Sequence, residues 1–218
     1  MTSCTDIWFS RIKETDEVSI LALLREEDRK RYEKIIPPKR KRNFAFRRAV
    51  LNFVLQRYVK SYSIKKNENG KPYIISHNDN GKIYFSSSSS AGLCVVSVST
   101  DEIGVDLEVR KQSVDLIGVC EKYLPAFSDI SEAWKENRII KQLAMCSWCR
   151  MESFVKLNGL TLHKMLFDQK IGGQNNQSEK ACSDIVISGN DFVCVISQFE
   201  PIELNNIYHF GFEKIHHE

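Results

Sequence analysis

The chain has 218 residues, 42% hydrophobic and 27% charged, which is enough apolar material for one large domain or two small ones and too much for a disordered chain. Its 31 basic and 28 acidic residues leave a net charge of +3, too balanced for composition alone to announce a nucleic-acid binder. No apolar run approaches the ~20 residues of a membrane-spanning helix, and the seven irregularly spaced cysteines read as reduced thiols of a cytoplasmic protein.

The opening Met1–Ser10 predicts no secretory leader, and Asp6–Ser10 reads as a short strand. Residues 16–35 read as a helix that stops before Pro37-Pro38. A second helix runs from Lys39 to about Tyr62, with Phe44, Val50, Leu51, Val54, Leu55 and Tyr58 at helical spacing. Between Arg29 and Arg48 the only acid is Glu33, so this region is a cationic block that attracts phosphate. Asn69-Gly70-Lys71-Pro72 and Asn78-Asp79-Asn80-Gly81 are turn signals on either side of a strand at Tyr73–Ile75. Further strands are expected at Lys82–Phe85, Gly92–Ser99 and Gly104–Val109.

The pattern then becomes helical over 113–124 and 129–158, with Asn158-Gly159 as the stop. Cys146 and Cys149 fall inside that second helical pattern, and no second cysteine pair stands at a zinc-like distance from them. The polar stretch 172–183 reads as a loop, and strands return at 184–187, 192–197 and 207–212. Helices followed by strands, twice over, predict an α+β fold of two similar subdomains, 1–103 and 104–218. Each is a small, mostly antiparallel sheet packed with helices.

Three groups of residues carry chemistry. Asp106 and Glu108 alternate along a strand and share one face, with Val105, Leu107 and Val109 behind them. Two carboxylates side by side repel unless a cation lies between them, or unless the face is solvated and meets lysines; the pattern alone leaves both open. Trp148, Met151 and Val155 form a core-facing helical stripe, and Glu152 and Lys156 stand one turn apart on its flank. Read alone, that pair is an ordinary surface ion pair. The third group is a phosphate-seeking set: Arg47 and Arg48, then Gly70-Lys71-Pro72, then Phe85 followed by Ser86–Ser90. Serines at a strand end offer hydroxyls and backbone N–H groups to phosphate, though five in a row also suit a polar loop.

In their order and combination these motifs resemble the 4′-phosphopantetheinyl transferases of the surfactin-synthetase-activating type. That family carries a strand G-[IV]-D-x-E and, further on, a helix W-x-x-K-E-[SA]-x-x-K. Here they stand as Gly104-Val-Asp106-Leu-Glu108 and Trp148-Cys-Arg-Met-Glu152-Ser-Phe-Val-Lys156. The family's G-K-P is Gly70-Lys71-Pro72, and its F-N-x-S-H-S appears as Phe85-Ser-Ser-Ser88-Ser89-Ser90. Two positions depart from the pattern: Ser89 replaces the histidine that contacts the 3′-phosphate of coenzyme A, and Met151 replaces the lysine before the glutamate. Arg150 points about 100° away around the helix and is not expected to substitute.

The resemblance implies transfer of the 4′-phosphopantetheine arm of coenzyme A to a serine of an acyl or peptidyl carrier protein, from a site between the two subdomains of a monomer. Asp106, Glu108 and Glu152 would hold magnesium (manganese as the alternative) with the pyrophosphate of the co-substrate coenzyme A. Glu152 is the expected general base, and Lys156 the group that stabilises charge on the transferred phosphate. Arg42, Arg47, Arg48, Lys71, Pro72, Ser88 and Ser89 would hold the nucleotide end, and neither nucleic acid nor membrane is an expected partner. The carrier protein would meet apolar surface beside 110–125. Two other readings stand beside this one. Ser89 and Met151 motivate a non-catalytic binder of coenzyme A or carrier protein. A metal-dependent nuclease shares the clustered acids, but has a lysine where this chain has Arg110.

Overall fold

The computed structural model describes residues 3–12, 17–68, 70–76, 83–110, 116–123, 137–161 and 182–211. The elements in order are β1 (Ser3–Arg11), α1 (Glu17–Ala22), α2 (Glu26–Glu33), α3 (Pro38–Leu55), β2 (Tyr62–Lys66), β3 (Pro72–Ser76), β4 (Tyr84–Ser90), β5 (Leu93–Ser99) and β6 (Ile103–Val109). They continue with α4 (Leu116–Tyr123), α5 (Arg138–Leu157), β7 (Ser183–Ser188), β8 (Phe192–Gln198) and β9 (Ile202–Phe210). The expected turn at 78–81, strand residue 82, the helical residues 113–115, 124 and 129–136, nearly all of the 172–183 loop and strand residue 212 lie outside the described residues.

The fold is α+β, with small sheets packed by helices. The largest sheet has the order β4-β5-β1-β9, a second has β6-β8-β7, and β2-β3 is a separate hairpin. Alternation along β5 makes the four-stranded sheet two-sided. Cys94, Val96 and Val98 face a core built on α3 with Phe46, Val50, Val54 and Leu55. Leu93 and Val95 join Ile7 and Phe9 against Ile103, Val105 and Leu107 of β6 and Cys194 and Ile196 of β8. The far side of the three-stranded sheet receives α5, where Met145 and Cys149 pack on Val193 and Val195. The layers therefore run helices, sheet, sheet, helices.

Two features cut across the expected halves. Strand β9 follows the three-stranded sheet in sequence, yet it pairs in parallel with β1 in the first sheet. Trp8 stacks on Tyr208 there, with ring centroids 3.9 Å apart. A buried trio also joins the sheets: Gln198 Nε2 donates to Ser99 Oγ at 2.7 Å, and Thr5 Oγ1 donates to the same oxygen at 3.0 Å.

Several boundaries differ from the sequence reading. The helix expected over 16–35 is broken at Leu23–Arg25. The break is tolerated because side chains take its freed carbonyls: Asn52 Nδ2 donates to Leu23 O at 3.0 Å and Arg29 Nε to Leu24 O at 3.1 Å. Helix α3 ends at Leu55 rather than Tyr62, because Tyr62 begins β2 opposite Ser76 of β3. The serine run is not a loop: Ser86–Ser90 are the last five residues of β4 and pair with β5. The Asn158-Gly159 stop is as expected, with Asn158 as C-cap and Gly159 in the left-handed region at φ +62°. All seven cysteines are free thiols, four of them buried.

Candidate active site

The site begins with β6. Its odd residues are buried between the sheets, so its even residues, Asp106 and Glu108, turn to the α5 side opposite Val195 and Val193 of β8. This is the shared face expected from strand alternation. Asp106 is only 5% exposed, an unusual position for a carboxylate, and it is held by specific partners.

The first partner comes from α5. Lys156 Nζ donates to Asp106 Oδ1 at 2.6 Å, to Ser88 Oγ at 3.1 Å and to the Val105 carbonyl at 3.1 Å. The helix is fixed on the sheet by a chain of polar contacts: Arg150 to Asp184 at 2.8 Å, Ser197 to Asp184 at 2.6 Å, and Ser197 with Ser153 at 2.7 Å. Gly104 permits the close approach of strand and helix, since a Cβ there would collide with the Ser153 carbonyl oxygen.

The second partner comes from β4. Its even serines face β6: the Val105 amide donates to Ser86 Oγ at 3.0 Å, Ser88 Oγ donates to Asp106 Oδ1 at 2.8 Å, and Ser90 Oγ to Glu108 Oε2 at 2.8 Å. Nothing in their own neighbourhood marks out Ser86 and Ser90 within the run; only period-two alternation separates them from Ser87 and Ser89. The odd serines, Ser87 and Ser89, share the opposite face with Val96 and Cys94 of β5, towards α3. Strand β4 thus separates two groups that the sequence reading had joined: Ser88 stands with the acids, and Ser89 with the basic helix.

Electrostatics make the acid side a high-energy place. Glu152 is half-buried, and its carboxyl is held above the usual carboxylate range, first by burial, then by the charge of Asp106. Glu108 adds to this and Lys156 opposes it. The thiols of Cys149 on α5 and Cys194 on β8 are pushed up mainly by burial, with Asp106 adding to the effect. Among the described residues Asp106 Oδ2 is buried without a hydrogen-bond partner.

The Glu152 shift has a consequence for stability. The folded protein holds this proton more tightly than the unfolded chain, so the group's stabilising share is present on the acid side. It is lost as pH rises from the ordinary carboxylate range through the raised value. Glu152→Gln should therefore raise the melting temperature at pH 8 by about 2 °C, kept small by solvent screening, and leave it unchanged at pH 4. Equal shifts at both pH values in a calorimetric series would contradict this account.

The charges of Asp106 and Glu108 both raise the proton affinity of Glu152, and Asp106 Oδ2 has no hydrogen-bond partner among the described residues. Hard oxygen donors of this kind suit magnesium. Among the described residues no three His, Cys, Asp or Glu side chains are already gathered into a ligand shell.

The expected nucleotide-binding residues fall in different places. Arg47 is exposed on α3, and its charge reaches Cys94, the register partner of Ser89. Arg42 is also exposed on α3. Pro72 is the first residue of β3. Arg48 is turned into the protein: Nε donates to Asp28 Oδ1 at 2.7 Å, and the Asp28 side chain is 3% exposed. Asn52 Nδ2 reaches the other oxygen of Asp28 at 3.3 Å. Arg48→Ala would leave that carboxylate buried and short of its cation, at an expected cost of about 3 kcal/mol. Urea denaturation measures this; an unchanged midpoint would show that the pair carries no stability. Lys71 also points inward, towards the end of α5. Met151, one of the two departures from the motif, is buried in the α5 core face, and its neighbour Arg150 is paired with Asp184, so neither brings a cation to the site. Trp148 is half-buried against Ile117, Cys120 and Ala144.

No protein-family model matches the chain, and no curated protein matches it. Among the described residues no helix is long and apolar enough to cross a membrane.

Proposed function

We propose that this chain is a 4′-phosphopantetheinyl transferase acting on an acyl or peptidyl carrier protein. The observation that carries the reading is the 2.6 Å contact between Lys156 and Asp106, fifty positions apart in sequence. It joins the two motifs on which the resemblance rests, with Glu152 near enough to feel the charges of both Asp106 and Glu108.

The reaction forms one bond and breaks one. The hydroxyl oxygen of the acceptor serine attacks the phosphorus that bears the pantetheine arm. The pyrophosphate bridge to that phosphorus breaks, and 3′,5′-ADP leaves with the bridging oxygen. The serine proton must go to a base, and Glu152, one turn from Lys156 on α5, is the candidate to take it directly or through water. Lys156 supplies a fixed positive charge, and Ser88 and Asp106 hold it in place. Asp106, Glu108 and Glu152 would hold magnesium, which when bound neutralises charge on the pyrophosphate and on the departing nucleotide. Exposed Arg42 and Arg47 on α3 supply cationic surface for the nucleotide phosphates.

The deciding experiment is intact-mass spectrometry of an apo carrier protein incubated with this chain, coenzyme A and magnesium. The expected result is a gain of one phosphopantetheine mass that EDTA abolishes. Buried Met151 and the committed Arg150 favour one second reading, a binder of coenzyme A that does not turn over. Coenzyme A binding by calorimetry with no mass gain on acyl or peptidyl carrier proteins would establish that reading in place of the first.

A further inference from the structure

The lysine of the Gly70-Lys71-Pro72 turn was expected to face phosphate, yet its ammonium is turned inward. Nζ donates to the Leu157 carbonyl at 2.6 Å and lies 4.0 Å from Glu102 Oε2. Leu157 is the last residue of α5 and adjoins Lys156; Glu102 immediately precedes β6. One amine therefore links the β2–β3 hairpin to both elements that carry the candidate chemistry.

The contact is built from both sides. The Lys71 amide donates to Asn67 Oδ1 at 2.9 Å, and its carbonyl accepts from the Asn67 amide at 3.0 Å, which closes the turn on itself. Across from it stands Gly159, where α5 reverses at φ +62°. A Cβ there would come 3.0 Å from Asn67 Nδ2 and 3.2 Å from Lys71 Cδ, so turn and helix end are in direct contact. The Lys71 side chain is 19% exposed. Burial lowers its proton affinity, and Glu102 opposes the effect. A cationic donor on the last carbonyls of a helix also complements the negative end of the helix dipole. An amine satisfied in this way must give up a short, half-buried bond before it can reach a phosphate in solvent.

We propose that Lys71 is a positioning residue, which clamps the end of α5 to the β2–β3 hairpin and so keeps Lys156 against Asp106 and Ser88. The clamp rests on these contacts alone; its effect on turnover rests on the transferase reading.

The test uses the full chain and three variants. Lys71→Met keeps the aliphatic stem and removes the amine, Lys71→Arg restores a donor, and Gly159→Ala strains the clamp from the helix side. Hydrogen exchange is read at Asn158, Gly159 and Leu160, whose amides bond to Phe154, Lys156 and Val155. In Lys71→Met their exchange should be about tenfold faster, with β1 and β5 unchanged, as expected for loss of one charge-assisted bond at a helix end. Lys71→Arg should recover most of the protection, and Gly159→Ala should lose it. In the transfer assay Lys71→Met should lower kcat about tenfold and leave the KM for coenzyme A within about twofold, the mark of a misplaced catalytic group. A raised KM with unaltered exchange would overturn the proposal and make Lys71 a phosphate contact. If the wild-type chain transfers nothing, the exchange data still decide whether the clamp exists.

Discussion

Asp106→Asn is expected to lower the transfer rate by about a thousandfold or more while leaving the protein folded. The carbonyl oxygen of asparagine can still accept from Lys156 Nζ and Ser88 Oγ, which now meet at Asp106 Oδ1. What disappears is the negative charge, and with it a hard donor for magnesium. Two effects on stability oppose each other. The attraction to half-buried Lys156 weakens, whereas the repulsion between Asp106 and Glu152 is relieved. The net change is expected to stay within about 2 kcal/mol, since neither charge pair is wholly desolvated. Steady-state transfer rates and urea midpoints on the same preparation separate the two quantities. Full turnover in the variant would remove Asp106 from the machinery. An unfolded variant would show that the carboxylate serves structure first.

The second large effect is expected at Gly104. A methyl group there would collide with the Ser153 carbonyl oxygen and come within 2.6 Å of the Leu157 amide nitrogen. Both are backbone atoms of α5, so no side-chain rotation can make room; the helix itself must move off β6. Gly104→Ala should cost on the order of 3 kcal/mol or more, at the upper end of what a single overpacked position does. Activity should fall with it, because lifting α5 separates Lys156 from Asp106. Denaturant midpoints measure the first effect. A variant as stable as wild type to within about 0.5 kcal/mol would mean that the close approach of strand and helix is not maintained in solution. The glycine of the G-V-D-x-E strand thus has a packing reason that no reading of the strand in isolation supplies.

Much of the site was legible because it rests on local periodicity. Alternation put Asp106 and Glu108 on one face of β6, and helical spacing put Glu152 and Lys156 on one flank of α5. The less legible part has one cause. Arg48, Lys71 and Ser88 have side chains of types suited to phosphate. Each instead meets a buried group that is distant in sequence: Asp28, the Leu157 carbonyl and Asp106. A lysine or serine does not record in its own neighbourhood whether its partner is solvent, a ligand or the end of another helix.

The sequence by itself determined the α+β character, most strands, the stop at Asn158-Gly159 and the pairing of acids along β6, since each follows from side-chain period, turn chemistry or the conformational freedom of glycine. Only the tertiary structure decided that the five serines form a strand whose faces divide between acids and basic helix. It alone decided that β9 returns to pair with β1, and that the chain breaks between α1 and α2. These outcomes depend on which distant carbonyls, amides and carboxylates come into reach on folding, and a buried polar group is stable only beside the partner that the fold delivers to it.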